Sequence, residues 1–175
     1  VLKIANITKY KDHKTLLLAW NQFLQKTSIA NPRLLLAGIQ GDNFHSIQEL
    51  AYSVDKPESI HFLGHVEDIT SLTHACDLSV FSSAKEGVPN GILEPMAAGK
   101  AIVASKITGN IQALGEQYKY FFEVGDFQRL ADLLLELSDD QLKREHTGNL
   151  NKIPEEITVH TIEYFFDPDN TLKRY

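Results

Sequence analysis

The fold of this chain is decided by one stretch, LSVFSSAKEGVPNGILEPMAAGKAIVA, which runs from Leu78 to Ala104. It opens with a short apolar run, Leu78 to Phe81, and closes with a second one, Ala101 to Ala104. Between them a loop leads into a helical pattern near Ile92 to Ala98, and Gly99 is well placed to cap that helix at its C-terminal end. A strand, a helix and a second strand joined in this way predict a βαβ unit of a parallel sheet.

The same alternation of strands and helices continues in both directions from this stretch. Further strands are predicted at Leu2 to Ala5, Arg33 to Ala37, Ile60 to Leu63 and Tyr120 to Glu123. Helical spacing of apolar residues appears around Leu16 to Leu24, Ser46 to Tyr52 and Ile69 to Cys76, and from Leu130 to Leu137 after a capping Asp126. The near-continuous apolar strands favour a Rossmann-like α/β fold, with a parallel sheet covered by helices on both faces.

Length and patterning predict one main domain, at residues 1–157, followed by a C-terminal helix and tail at residues 158–175. The periodic pattern weakens after Pro154, and Val159 to Phe166 reads as a last helix. The chain starts at Val1 inside a predicted strand, so we expect a further N-terminal domain to precede it in the same protein.

Composition excludes several classes of function. The chain has 175 residues, is 43% hydrophobic and carries a net charge of −6, so it repels nucleic-acid phosphates overall. We therefore expect no nucleic-acid partner. Its one cysteine, Cys76, lies in an apolar stretch and is expected to be buried, and the seven histidines show no metal-ligand spacing.

The loop after Phe81 carries the most informative chemistry. Ligands of open parallel sheets bind beyond the C-terminal ends of the strands, and this loop places Glu86 eight positions before Glu94, with Pro-Asn-Gly between them. Pro95 is best tolerated if the helix starts between Asn90 and Glu94, which leaves N–H groups free to bind a diphosphate. Carboxylates suit vicinal hydroxyls, and a nucleotide-sugar offers a diphosphate between two diols. The segment Gly38 to Asp42, by contrast, lacks the glycine spacing of a dinucleotide site.

Glu86 to Ala104 resembles the E-x7-E signature and its sequel in retaining glycosyltransferases of the GT-B fold. The resemblance covers nearly the whole chain. Ile4 to Leu17 resembles the family's opening strand and lysine-bearing loop. Arg33 to Gly38 and Ile60 to Val66 resemble its next two strands, and Ala75 to Ser83 resembles the strand before the signature.

The resemblance assigns a role to each matching residue. Glu86 would bind hydroxyls of the donor sugar, and Glu94 would bind the ribose diol. Lys11 would neutralise the diphosphate leaving group, which makes Glu86 and Lys11 the candidate catalytic residues. The backbone around the diphosphate would be that of Asn90, Gly91, Ile92 and Leu93. The loop beside the base would be that of His65 and Val66. The family usually pairs its lysine with an arginine a few residues earlier, whereas this chain has Asn6-Ile7-Thr8-Lys9 there.

The resemblance implies the C-terminal, donor-binding domain of an enzyme that moves a hexose-type sugar from a nucleotide-diphosphate sugar to a glycan or lipid-linked acceptor. No metal or other cofactor is implied, and the separate domain is expected to be inactive without its N-terminal partner. We expect a cytoplasmic location, with the full-length enzyme able to associate with the cytoplasmic face of a membrane. Two alternatives stay open at this point, a non-catalytic nucleotide-sugar-binding module and a sugar-nucleotide epimerase of the same fold.

Overall fold

The fold is a parallel sheet between two layers of helices, as the sequence predicts. The computed structural model describes residues 1–85, 87 and 90–151. Within them the strands are β1 (Leu2–Ile4), β2 (Leu34–Ala37), β3 (Ile60–Gly64), β4 (Leu78–Phe81), β5 (Ala101–Ser105) and β6 (Phe121–Phe122). The helices are α1 (His13–Lys26), α2 (Phe44–Tyr52), α3 (Ile69–Ala75), α4 (Asn90–Ala97), α5 (Thr108–Leu114), α6 (Phe127–Ser138) and α7 (Gln141–Asn151).

The strands form one six-stranded sheet in the order β3-β2-β1-β4-β5-β6, and every pairing is parallel. This is the order of doubly wound nucleotide-binding folds, in which the chain first moves outward from β1 on one side and then returns to continue on the other. β1 and β4 are therefore neighbours in the centre of the sheet, although they are distant in the sequence.

The core lies on both faces of the sheet. On one face α1 and α6 pack together through apolar residues at helical spacing, among them Trp20, Phe23 and Leu134, all of which are buried. On the other face Ile92 of α4 packs against Phe81 and the buried side chains of β5. Helices on both faces explain why the central strands are apolar almost throughout.

Two helices depart from the sequence prediction. α5 and α7 occupy residues for which no helix was predicted. α5 contains Gly109 and Asn110, which are poor helix formers, and α7 is mostly polar, so neither shows the apolar periodicity of a packed helix. The helix predicted from residue 158 lies outside the described residues.

Other local predictions are confirmed. The Asp126 side chain accepts a 2.9 Å hydrogen bond from the Arg129 N–H and so caps α6. Gly99 has a left-handed backbone, with φ at 63°, at the end of α4, and Cys76 is buried.

Candidate functional site

The carboxyl ends of β1 and β4 form the switch point of the sheet, because connections leave these two neighbouring strands in opposite directions. The loop after β1 contains Lys11, and the loop after β4 leads into α4, which contains Glu94. The topology thus brings to one crevice the two segments in which the resemblance predicts Lys11 and Glu94.

The loop after β1 is fixed to its neighbour on the β2 side. Ile7 N–H donates to the carbonyl of Ile39 at 3.0 Å, and the Asn6 side-chain oxygen accepts from the Ile39 N–H at 3.1 Å. Gly38 allows this close approach, because its φ is 151° and a Cβ built there would lie 2.1 Å from the Ala5 carbonyl oxygen. The loop is therefore a rigid continuation of the sheet edge.

Lys11 ends a short 3-10 turn, Lys9–Lys11, and is half-buried, whereas Lys9 is exposed. The loop after β4 holds the carbonyl groups on both sides of Lys11. Ala84 N–H donates to the Tyr10 carbonyl at 2.8 Å, and the Ser82 hydroxyl donates to the Asp12 carbonyl at 2.9 Å. The backbone that carries Lys11 is therefore set by contacts across the switch point.

The first turn of α4 lies at the end of β1. A Cβ built on Gly91 would be 3.5 Å from the carbonyl oxygen of Ile4, the last residue of β1, and 3.1 Å from the ring of Phe81. The helix begins at Asn90, inside the window predicted from Pro95, which falls in its second turn. The first four N–H groups of a helix have no partner within it, and in α4 these are the predicted diphosphate-binding residues Asn90, Gly91, Ile92 and Leu93.

Glu94 is half-buried on the same helix. Its Oε2 atom is buried and has no hydrogen-bond partner among the described residues. Burial raises the pKa of this carboxyl group above its ordinary value of 4.5, because water is removed from the charged form. A buried acceptor without a donor is unfavourable in a folded protein, so this oxygen is suited to a ligand that brings a hydroxyl or N–H group.

His65 and Val66 follow β3, which is separated from β1 by β2. His65 is exposed, and Val66 is partly buried against the cluster that contains Leu2 and Cys76. The Gly38 N–H donates to the Gly64 carbonyl at 2.8 Å, which joins the exit loops of β2 and β3. His65 and Val66 thus share the carboxyl edge of the sheet with Lys11 and Glu94 but lie to one side of the switch point. Glu86, the first glutamate of the predicted pair, lies outside the described residues.

A buried polar group that was not predicted from the sequence lies beneath the two central loops. Lys3 and His13 are each 1% exposed, and Ser82 is fully buried. Neither ring nitrogen of His13 has a hydrogen-bond partner in the part of the chain that the structure describes. Burial, followed by the positive charges of Lys3 and Lys11, lowers the pKa of His13 to about 2. The available signal was Lys3 itself, a charged residue between Leu2 and Ile4 in a strand predicted to be buried.

Residues 1–85, 87 and 90–151 contain no group of three or more histidine, cysteine or acidic residues that could hold a metal ion, and no helix with the length and apolarity needed to cross a bilayer. A cavity of about 320 Å³ lies at the opposite, amino-terminal edge of the sheet, beside Val1, Arg33 and Asp77. It is remote from both central exit loops.

The strand order and the crevice at the switch point define the chain as a doubly wound α/β protein. Residues 1–152 match the family described as "Glycosyl transferases group 1", and the chain belongs to that family. The chain is 37% identical over 89 residues to N,N'-diacetylbacillosaminyl-diphospho-undecaprenol alpha-1,3-N-acetylgalactosaminyltransferase of Campylobacter jejuni, covering 49% of this chain and 23% of that protein. It is 27% identical over 149 residues to N-acetyl-alpha-D-glucosaminyl L-malate synthase of Bacillus anthracis, covering 85% of this chain and 38% of that protein.

Solved structures confirm the predicted Rossmann-like fold of GT-B glycosyltransferases. The Anabaena HepE protein in complex with UDP-glucose is similar with a TM-score of 0.78 and 22% identity, over 91% of this chain and 43% of that one. The catalytic domain of cholesterol-alpha-glucosyltransferase from Helicobacter pylori is similar with a TM-score of 0.73 and 19% identity, over 91% of this chain and 97% of that one. The chain spans 23% to 47% of the length of the first curated relatives it matches.

Proposed function

We propose that this chain is the donor-binding domain of a retaining glycosyltransferase that moves a hexose-type sugar from a nucleotide-diphosphate sugar to a glycan or lipid-linked acceptor. The observation that carries the proposal is the Glu94 carboxylate, which is half-buried and has a buried oxygen with no partner among the described residues. It lies on the helix whose first turn meets the end of β1. A ribose diol supplies two hydroxyl donors to such a carboxylate.

The charges around the switch point suit the rest of the donor. The N–H groups of Asn90 to Leu93, which have no partner within the helix, lie at the positive end of the α4 dipole and are proposed to hold the diphosphate together with Lys11. As the bond to the sugar breaks, negative charge grows on the diphosphate, and Lys11 would stabilise that charge. Glu86 is proposed to bind the sugar hydroxyls, and His65 and Val66 to border the base through their main chain.

We propose that binding needs no metal ion, because Lys11 and the α4 N–H groups supply the positive charge. Addition of EDTA should then leave the nucleotide affinity unchanged. A loss of affinity in EDTA that Mg²⁺ restores would contradict this part of the proposal.

The names of related proteins support the choice of donor and acceptor. Solved relatives were obtained with UDP and with UDP-glucose, and the name of the Campylobacter relative contains a sugar-diphospho-undecaprenol. We propose that a further N-terminal domain supplies the acceptor site, and that the full-length enzyme works in the cytoplasm at the membrane face. The domain described here is then expected to bind donor weakly and to transfer no sugar.

The deciding experiment is calorimetric titration of the chain with UDP, GDP and ADP. Selective binding of one nucleotide, lost in Glu94→Ala, is the expected result. Glu49→Ala, which removes an exposed carboxylate from α2, is the matched control and should bind like the wild type. Equal affinity in the wild type and in a folded Glu94→Ala variant would overturn the assignment of the ribose site.

The two glutamates can be separated by comparing the nucleoside diphosphate with its sugar conjugate. Glu86→Ala should leave the affinity for the diphosphate unchanged and remove the part of the affinity that the sugar adds. Glu94→Ala should weaken both ligands alike. An equal loss of both ligands in Glu86→Ala would contradict the proposed sugar contact.

A non-catalytic nucleotide-sugar-binding module is the second candidate, favoured by the stretch Asn6 to Lys9, which has no arginine. The Asn6 side chain is already used to hold the Ile39 N–H. The two candidates share the binding site and differ in turnover. Release of the nucleoside diphosphate by the full-length protein, dependent on Lys11, would establish the enzyme, whereas binding without release would establish the module.

A further inference from the structure

Lys3 places an ammonium group inside the sheet, beneath both central exit loops. It is the middle residue of β1, is 1% exposed, and its Nζ atom donates a 3.0 Å hydrogen bond to the Ser82 hydroxyl. Removing an ammonium group from water is unfavourable unless the group is paired and hydrogen-bonded, and an apolar residue in a central strand avoids that cost. The presence of a lysine at this position is therefore not explained by packing.

The contact between Lys3 and Ser82 has a fixed direction. A lysine ammonium group only donates, so the Ser82 oxygen is the acceptor and its own proton remains available. That proton goes to the Asp12 carbonyl at 2.9 Å, since the alternative acceptor, the Lys11 carbonyl, lies at 3.4 Å. Lys3 thereby orients the hydroxyl that holds Asp12.

Asp12 needs such support because its backbone is left-handed, with φ at 42°, the one non-glycine residue of this kind among those the structure describes. This conformation is strained for a residue other than glycine. Asp12 also caps α1, where its carboxylate accepts from the Thr15 N–H at 3.2 Å. Its carbonyl group and that of Tyr10 flank Lys11, and both are held by the loop after β4.

We propose that Lys3 is a positioning residue for Lys11: acting through the Ser82 hydroxyl, it fixes the Asp12 carbonyl and so sets the backbone from which Lys11 reaches the site. That Lys11 is positioned for a diphosphate rests on the proposed function. That Lys3 controls the turn is independent of the proposed function and can be measured without any ligand.

Amide hydrogen exchange tests the control of the turn directly. Lys3→Met keeps the length of the side chain and removes the charge, and Ser82→Ala removes only the hydroxyl. In each variant the amides of Lys11 and Thr15 should exchange at least tenfold faster, while amides of β5 keep their protection. Lys26→Met, which removes an exposed lysine at the far end of α1, is the charge control and should show no change.

The double variant separates a relay from two independent effects. If Lys3 acts through Ser82, the double variant should exchange no faster than the faster single variant, because residues in one network are not additive. Unchanged exchange of Lys11 and Thr15 in either folded single variant, or additive acceleration in the double variant, would overturn the proposal.

Nucleotide titration then links the relay to the proposed function. For the nucleotide that the wild type binds, affinity should fall about tenfold in each single variant and no further in the double variant. Full affinity despite faster exchange would overturn the positioning of Lys11 for that ligand. A wild type that binds no nucleotide would contradict the proposed function alone, and the exchange rates would still decide whether Lys3 controls the turn.

Discussion

The backbone N–H of Ala84 donates a 2.8 Å hydrogen bond to the carbonyl of Tyr10. This bond joins the exit loops of β4 and β1, the two neighbouring strands between which ligands bind in folds of this strand order. The two loops therefore behave as one backbone unit, although they are far apart in the sequence. Lys11, which follows Tyr10, is placed by this unit together with its own short turn, in which the Lys11 N–H donates to the Thr8 carbonyl at 3.1 Å.

Lys11→Met should reduce the affinity gained from the second phosphate of the nucleotide. A charge-assisted hydrogen bond to phosphate is worth about 1.5–3 kcal/mol, so the affinity ratio of the nucleoside diphosphate to its monophosphate should fall by roughly 10- to 100-fold. Titration calorimetry of both ligands against both proteins measures this ratio. Lys26→Met removes an exposed lysine at the other end of α1 and should leave the ratio as in the wild type. An unchanged ratio in Lys11→Met would exclude a contact between Lys11 and the diphosphate.

His13 predicts an acid-sensitive fold. Its pKa is lowered from 6.5 to about 2, chiefly by burial and also by Lys3 and Lys11. Below pH 6.5 the unfolded chain binds a proton at this residue that the folded chain does not, so the free energy of unfolding falls as the pH decreases. The contribution approaches about 1.4 kcal/mol per pH unit between the unfolded and folded pKa values.

His13→Leu should remove this contribution, because leucine does not titrate and the His13 nitrogens have no described partner to lose. Urea unfolding between pH 5 and pH 8, followed by the fluorescence of the single tryptophan, Trp20, gives the free energy of unfolding as a function of pH for the wild type and for the variant. His45→Leu, an exposed histidine on α2, is the control. Parallel profiles for the wild type and His13→Leu would show that His13 can be protonated inside the fold.

Strand positions were the most predictable part of this fold, because buried parallel strands are short, apolar and bounded by glycine or polar residues. β4 was predicted at its observed bounds, and the end of α4 at Gly99 followed from capping chemistry. α5 and α7 were missed because they are stabilised by contacts outside themselves. Gly148 of α7, for example, lies against the backbone of Gly99, and no pattern within α7 indicates that contact.

The candidate site was predictable where a single segment carries its chemistry, as in the run from Asn90 to Glu94. The contacts that support the Lys11 turn were not predictable, since it is the arrangement of the sheet that brings Ser82 and Ala84 to that turn. The sequence shows Lys3 as a charged residue in an apolar strand, but it does not show what Lys3 contacts. Its partner across the switch point is determined by strand order, which no local pattern reports.

Gly148→Ala should destabilise the packing of α7. A Cβ at this position would lie 1.9 Å from the Gly99 carbonyl oxygen and 3.1 Å from the Lys100 backbone, so the helix would have to move away from the turn between α4 and β5. Overpacking of this kind costs about 1–3 kcal/mol. Urea unfolding measures the cost, with Asn149→Ala, exposed on the same helix, as the control. Equal stability of Gly148→Ala and Asn149→Ala would show that α7 does not contact that turn in solution.

Glu94→Gln should stabilise the ligand-free fold while weakening nucleotide binding. Burial raises the folded-state pKa of Glu94 above its unfolded value of 4.5, so between these two values the folded chain binds more protons than the unfolded chain. The free energy of unfolding therefore falls as the pH rises from 4.5 through the folded-state pKa. Glutamine carries no charge, so the variant avoids the penalty and should be more stable than the wild type in urea unfolding at pH 7.

The same substitution removes one of the two acceptor oxygens offered to a ribose diol, because the amide nitrogen only donates. Nucleotide affinity at pH 7 should therefore fall by roughly tenfold, since a hydrogen bond to a charged group is worth about 1.5–3 kcal/mol and part of that remains. Wild-type affinity should also decline as acid protonates Glu94, and the variant should lack that decline. Glu49→Gln, an exposed carboxamide substitution on α2, should change neither quantity. A ligand-binding carboxylate lowers the stability of the free protein and raises the affinity for the ligand. A Glu94→Gln protein that is less stable than the wild type at pH 7 and binds nucleotide equally well would therefore show that the Glu94 carboxylate stabilises the fold and does not bind nucleotide.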